Sequence, residues 1–308
     1  MNMRLAPFAL AAALAVPCLA IAQVADPAYA KSVNDWRAKV DKSLRADNGW
    51  LTLAGRYVLK PGENTFGNGP GNDVVFPKGV GSPGMGSVFV EPPANGNPGH
   101  VTVKMVEGLK MRKDGIDYSV RDMGTSTEKR DWVSVGKVSF HFIEVGGKYI
   151  MRLADNDSEV RKRFGGRVWY DVNDNYRVQA KFVPYEAGKK IAIVNVLDET
   201  SDEPVAGYVE FEIAGRGPYR LDALDDEGGL FIIFKDATAG ETTYNTGRFL
   251  YVEEKPAPNT RFVLDLNRAY NPPCAFSEFT TCPLPPKQNV LKTRIEAGEK
   301  YPPLKKDA

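Results

Sequence analysis

The spacing of hydrophobic residues changes once along the chain, near residue 50. Between Asp26 and Asp47, apolar residues recur every three or four positions, which predicts one amphipathic helix. Asp26 can cap the start of this helix, and Asn48-Gly49 is a typical helix end. The helix could bind a partner protein or pack on the domain that follows it. Packing is the favoured interpretation.

From Trp50 onward the hydrophobic period is two, as in β-strands. Short alternating segments are separated by turns such as Asp114-Gly115 and Gly146-Gly147. Regular short strands of this kind favour an antiparallel sandwich or barrel. The sequence therefore predicts an all-β, mainly antiparallel protein with one N-terminal amphipathic helix and two consecutive halves, each like a β-sandwich or barrel.

The predicted division of the chain follows these changes of pattern, and a polar stretch separates the two halves. The segments are a signal peptide (1–22), an N-terminal helix (23–49), a first β-rich half (50–154), a linker (155–166), a second β-rich half (167–270), and a disulfide-tied, proline-rich C-terminal strap and tail (271–308).

The first 22 residues have the pattern of a secretory signal peptide. A basic start with Arg4 precedes an apolar run, which ends at the small residues Ala20-Ile21-Ala22. The run is shorter than the roughly 20 residues that a membrane-spanning helix needs. Lipidation at Cys18 is the alternative, although the residues before it are a poor lipidation signal. We therefore expect a periplasmic or secreted protein with no membrane span.

Charge and motifs argue against several classes of partner and cofactor. The chain has 40 basic and 39 acidic residues, so it lacks the positive surplus that nucleic acids or anionic membranes attract. Gly79–Gly84 matches a dinucleotide-binding glycine pattern, but a strand-like segment follows where a helix should begin. Asp171–Asn175 resembles the start of a calcium loop, but Tyr176 occupies the position of the required glycine. We expect no cofactor and no metal.

The two cysteines outside the signal peptide lie eight positions apart. In an oxidising compartment, Cys274 and Cys282 are expected to form a disulfide. Closing so short a loop stabilises a fold by roughly 2.5 kcal/mol in the chain-entropy treatment. A zinc site is the alternative, but neither His100 nor His141 has ligand spacing to a cysteine.

Several segments resemble one known family. They are Trp50–Gly55, Lys60–Gly67, Asn72–Val75, Phe182–Tyr185, Phe234–Thr238, Gly247–Tyr251, Asn271–Phe276 and Cys282–Pro286. Together they resemble the bacterial and archaeal family catalogued as domain of unknown function 1684. The resemblance extends over nearly the whole chain after the signal peptide. It implies a β-rich fold and no particular activity.

Polar side chains follow or precede three strands of the predicted second half. If these strands are neighbours, the side chains meet at one edge of a sheet, where they would suit an anionic or sugar substrate. The candidates are Asp236 and Asp265 as catalytic carboxylates, and Thr238, Tyr244, Arg248, Asn267, Arg268, Tyr270 and Asn271 as ligand-binding residues. The alternative is a buried polar network that holds the strap on the sheet.

His141 lies in an alternating segment, on the face opposite Phe140 and Phe142. Histidine titrates near neutrality, so His141 could act as a general base. No serine or acidic partner lies near it in the sequence. A histidine on the sheet surface or in a structural hydrogen bond is therefore the favoured interpretation.

Three functions remain open on this evidence. The first is an exported module that binds a small polar or anionic ligand or serves a structural role. The second is a cofactor-independent hydrolase or lyase that uses Asp236 and Asp265. The third is a protein-interaction module that uses the N-terminal helix. Because no catalytic or cofactor motif is complete, the first function is favoured.

Overall fold

The structure is a computed structural model that describes residues 25–94 and 98–301. The predicted signal peptide lies outside the described residues, as does the end of the predicted tail. No helix in the described residues is both long enough and apolar enough to cross a membrane.

The long helix α1 spans Pro27–Leu44. The side chain of Asp26 caps it by accepting hydrogen bonds from the amides of Ala28 and Tyr29, both at 3.0 Å. Its buried face contains Tyr29, Val33 and Leu44. This face packs on the rest of the molecule, as the hydrophobic spacing indicates.

Eleven strands follow among the described residues of the first half of the chain. They are β1 Leu53–Val58, β2 Gly62–Gly67, β3 Val74–Val75, β4 Gly86–Glu91, β5 His100–Met105, β6 Met111–Lys113, β7 Ile116–Tyr118, β8 Val120–Asp122, β9 Val133–Val135, β10 Val138–Val145 and β11 Lys148–Asp155.

These strands form two sheets around one core. One sheet has the order β1-β11-β10-β9-β6-β7, and the other has the order β3-β2-β4-β5-β8. All pairs are antiparallel except β2 with β3. Phe66 of one sheet and Phe140 of the other lie 5.5 Å apart between ring centroids, so the two sheets share their apolar interior.

A short helix and nine strands follow. They are α2 Glu159–Arg163, β12 Val168–Trp169, β13 Arg177–Pro184, β14 Lys190–Val194, β15 Thr200–Ile213, β16 Arg216–Asp226, β17 Gly229–Phe234, β18 Arg248–Val252, β19 Arg261–Asp265 and β20 Glu299–Lys300. The main sheet has the order β18-β17-β16-β15-β13-β19, with β14 paired to β15. A second buried core lies against this sheet.

The position of β19 differs from the expectation that the last three strands are neighbours. β17 pairs with β18, but β19 pairs with β13 at the opposite end of the strand order. The chain after β19 nevertheless returns to β18. There, Tyr270 and Phe249 exchange two backbone hydrogen bonds of 2.8 and 2.9 Å.

The segment 271–301, here called the strap, runs from the first half of the molecule along the main sheet. The amide of Val196 donates to the carbonyl of Cys282, and the amide of Leu291 donates to the carbonyl of Lys235. Near its end, β20 pairs with β12. Backbone hydrogen bonds along its length therefore attach the strap to the second half of the chain.

The architecture confirms the predicted fold class, which is mostly antiparallel β-structure with one main helix near the N-terminus. The periodicity of the sequence predicts this much because helices and strands bury one face each.

Candidate functional site

The predicted site residues Asp236 and Arg248 form a buried ion pair. Arg248 donates to the Asp236 carboxylate at 3.2 Å, and both side chains are almost fully buried. The hydroxyl of Thr238 and the amide of Ile295 donate to the same carboxylate at 2.9 and 2.7 Å. Burial lowers the pKa of Arg248, and the charge of Asp236 opposes this shift.

This first network holds the strap in place. Besides Asp236, Arg248 binds the carbonyls of Ile295 and Ala297. Each buried charge therefore has an oppositely charged partner and neutral hydrogen-bond partners, which buried ion pairs require. Asp236 is only 4% exposed, so little of its carboxylate is accessible to a ligand.

Asp265 lies in a separate network, at the junction with helix α1. The Tyr29 hydroxyl donates to Asp265 at 2.7 Å, and the Asn267 amide donates to it at 3.1 Å. Arg268 lies 3.5 Å from its other oxygen. Burial and the bond to Asp265 raise the pKa of Tyr29. The two predicted catalytic carboxylates thus take part in different sets of contacts.

Other predicted site residues also have partners of their own. The Tyr244 hydroxyl donates to the carbonyl of Cys274 at 3.0 Å. The Asn271 amide donates to Glu299 at 2.7 Å, and Arg167 donates to the same carboxylate. Tyr270 packs edge-on to Trp36, a residue of α1. The predicted site residues therefore do not share one set of hydrogen-bond partners, although Thr238 and Arg248 do meet at Asp236.

The predicted disulfide is absent from the structure, in which Cys274 and Cys282 are free. The amide of Cys274 donates to the sulfur of Cys282 at 3.1 Å. The loop between them is closed by hydrogen bonds of this kind rather than by a covalent bond.

A different constellation lies where the strap crosses the first half. A cavity of about 180 Å³, here called the strap pocket, is lined by residues of both parts. The first half contributes Trp50, Arg130, Trp132, His141 and Arg152, and the strap contributes Thr281 and its neighbours.

Arg152 is the buried cation of the strap pocket. It donates to the carbonyl of Phe279 and, at 3.3 Å, to the hydroxyl of Thr281. Among the described residues, no carboxylate forms a salt bridge with Arg152 or with Arg130. Burial and the charges of Arg56 and Arg130 lower the pKa of Arg152 to about 10, so it stays charged at neutral pH.

Arg130 lies at the exposed rim of the strap pocket. Its guanidinium stands 5.1 Å from the centre of the Trp50 ring, a distance at which a cation is attracted by an aromatic face. Arg130 therefore adds a second positive charge beside Arg152.

His141 faces Arg152 across the sheet. The two residues are direct partners in the antiparallel pairing of β10 with β11. His141 is buried, its ring lies 4.2 Å from that of Trp132, and its Nδ1 atom has no hydrogen-bond partner. Burial and the charges of Arg130 and Arg152 lower the pKa of His141 to about 4.

The burial of His141 corrects the interpretation that it lies on the sheet surface. The strap lies over this face of β10, so the side chain is buried without a partner at Nδ1. One signal in the sequence could have located Arg152: the Gly146-Gly147 turn sets a register that places residue 152 opposite residue 141.

By its fold the protein is an all-β protein with one main helix. Residues 162–300 match the family described as "Protein of unknown function (DUF1684)". The match confirms the resemblance expected from the sequence. The N-terminal segments Trp50–Gly55 and Lys60–Gly67 lie outside the matched range.

The chain is also similar to an uncharacterized protein of Haloarcula marismortui whose solution NMR structure is known. The two are 30% identical, and the match covers 46% of this chain and 79% of that chain, with a TM-score of 0.39. No curated protein matches this chain.

Proposed function

We propose that this protein is an exported binding module that holds a small anionic ligand in the strap pocket. One observation carries the proposal: Arg152 is a buried cation that lines a cavity and is bonded only to neutral acceptors. Export is supported by the signal-peptide pattern of residues 1–22.

A buried charge without an oppositely charged partner costs free energy. Proteins normally place a carboxylate beside a buried arginine, because an uncompensated charge is poorly solvated in the interior. The pair of Arg248 with Asp236 shows this solution elsewhere in the same chain. At Arg152 a ligand anion would supply the missing charge, and a guanidinium can bind a carboxylate, sulfate or phosphate group bidentately.

The other walls of the strap pocket suit a small ligand. Trp50 and Trp132 offer apolar surfaces, while Thr281 offers a hydroxyl. A few convergent polar groups among apolar walls are typical of small-molecule sites. The volume of about 180 Å³ favours an inorganic oxyanion or a small organic acid.

Binding can be tested by isothermal titration calorimetry with sulfate, phosphate and acetate at constant ionic strength. We expect saturable binding of at least one anion. Arg130→Gln should weaken it at least threefold and Arg152→Gln at least tenfold, because each removes a charge from the pocket. Arg130→Gln should disturb the fold less than Arg152→Gln does, since Arg130 lies at the exposed rim and makes no salt bridge among the described residues.

The matched control is Arg112→Gln, which removes an exposed arginine of the same half that faces Asp117 at 3.3 Å. It should leave anion affinity unchanged. Circular dichroism establishes that each variant is folded. The proposal is wrong if no anion binds, or if both pocket variants bind as the unaltered protein does.

A further inference from the structure

We infer that the strap pocket binds a dianionic oxyanion together with a proton, which His141 takes up. This inference rests on the proposed function, because it concerns the same pocket. It adds the charge of the ligand and a dependence of affinity on pH.

The geometry places the His141 imidazole beside the expected anion. His141 and Arg152 face each other from adjacent strands, and both line the cavity. An unpartnered Nδ1 atom in a buried ring costs free energy unless a ligand supplies a hydrogen-bond partner. An acceptor-only oxyanion supplies such a partner to a protonated Nδ1 atom, and its negative charge favours the form of His141 in which both ring nitrogens carry protons.

Burial, together with the positive charges around His141, lowers its pKa and keeps it neutral in the free pocket. Arg152 faces it from β11, and Arg130 approaches from the segment before β9. From the same segment, Asp131 attracts a proton to His141, but this carboxylate is already bound by Arg121 at 2.6 Å and by Lys113.

Two further groups complete this environment. Arg56 of β1 adds its positive charge next to Arg152. The strap contributes Cys282, whose pKa is raised by its hydrogen bond with Cys274 and by burial, so the thiol is neutral. Positive charge therefore dominates around the imidazole before a ligand enters.

A bound dianion shifts this balance. Its two negative charges offset two of the three arginine charges of Arg152, Arg130 and Arg56, which weakens the repulsion that opposes an imidazolium. A monoanion offsets only one of these charges, so more of the repulsion remains. Because the complex then has a higher His141 pKa than the free protein, the complex binds more protons, and affinity rises as the pH falls.

Sulfate is the appropriate probe, because it remains a dianion between pH 5 and pH 8. We expect its dissociation constant to fall by up to tenfold for each unit of decreasing pH within this range. Calorimetry in two buffers of different ionisation enthalpy should detect uptake of up to one proton for each sulfate bound.

Two histidine variants separate the role of His141 from general effects of pH. His141→Gln should still bind sulfate, but its affinity should hardly vary with pH. The control is His100→Gln, because His100 is the other histidine of the chain and lies on β5 beside Asp122. This control should keep the full pH dependence.

The outcomes distinguish the inference from the proposed function. If sulfate binds and Arg152→Gln weakens it, but affinity does not vary with pH, the inference is wrong and the binding function stands. A pH dependence that persists in His141→Gln also overturns the inference. If sulfate does not bind at any pH, the inference is wrong, and failure of phosphate and acetate as well overturns the proposed function.

Discussion

Asp236 and Asp265 show how the same residue types can serve catalysis or structure. A general acid or base must reach its substrate. The Asp236 carboxylate is instead occupied by Arg248, the Thr238 hydroxyl and a strap amide, while Asp265 accepts from Tyr29. These contacts favour the alternative of polar networks that hold the structure together. Catalysis by these two residues stays a prediction.

A substitution at Asp236 tests this role. Asp236→Ala leaves Arg248 buried without its charged partner, and breaking a buried pair in this way costs about 3–5 kcal/mol of the free energy of unfolding. Urea denaturation measures this loss. The control is Glu241→Ala, which breaks an exposed pair with Arg294 and should leave stability nearly unchanged. Equal losses in both variants would contradict the structural role.

At the scale of elements, a side chain of the strap forms hydrogen bonds with backbone groups of the main sheet that would otherwise pair with a neighbouring strand. Asn289 is buried and donates to the carbonyls of Asp222 and Ile233 at 2.9 and 2.8 Å. Its own carbonyl accepts the Asp222 amide at 2.7 Å. One side chain thus satisfies three backbone groups of the main sheet where the strap crosses it.

Removal of this side chain should loosen the strap. Asn289→Ala leaves these buried backbone groups without partners, at about 1–3 kcal/mol for each group that water cannot reach. Urea denaturation should show the loss, and limited proteolysis should cut the strap faster. Lys287→Ala changes an exposed residue of the same short helical turn and should have little effect. Unchanged stability in Asn289→Ala would show that contacts other than those of the Asn289 side chain hold the strap on the sheet.

At the scale of the whole molecule, two buried groups with opposite pKa shifts make opposing contributions to the variation of stability with pH. Burial lowers the pKa of His141 from 6.5 to about 4. Burial raises the pKa of Glu299 from 4.5 to about 7, although Arg167 opposes this shift. His141 therefore contributes stability above pH 6.5 that is lost as the pH falls through 4. Glu299 contributes stability below pH 4.5 that is lost as the pH rises through 7.

Single variants should reveal the two opposing slopes of the free energy of unfolding against pH. In His141→Gln, stability should fall between pH 4.5 and pH 7, because His141 no longer opposes the contribution of Glu299. In Glu299→Gln, stability should rise between pH 4 and pH 6.5. Each contribution is about 3 kcal/mol across its range. Urea midpoints at a series of pH values measure both slopes, and unchanged slopes in the variants would contradict the assignment.

The expectations that succeeded depend on local pattern. The change of hydrophobic period near residue 50 predicts both the helix and the strands, because each element buries one face. Asp26 and the turn residues mark where elements begin and end. These features concern residues close together in the chain, so the sequence by itself determines them, together with the family resemblance over residues 162–300.

Tertiary structure decided which faces and edges meet. β19 pairs with β13 rather than beside β18, so Asp265 and Asp236 fall into separate networks. The strap covers His141 and Arg152, which makes a pocket from residues more than 120 positions apart in the chain. Such contacts depend on how the two cores and the strap pack together. Local spacing contains no information on that packing, because many strand orders bury the same apolar faces equally well.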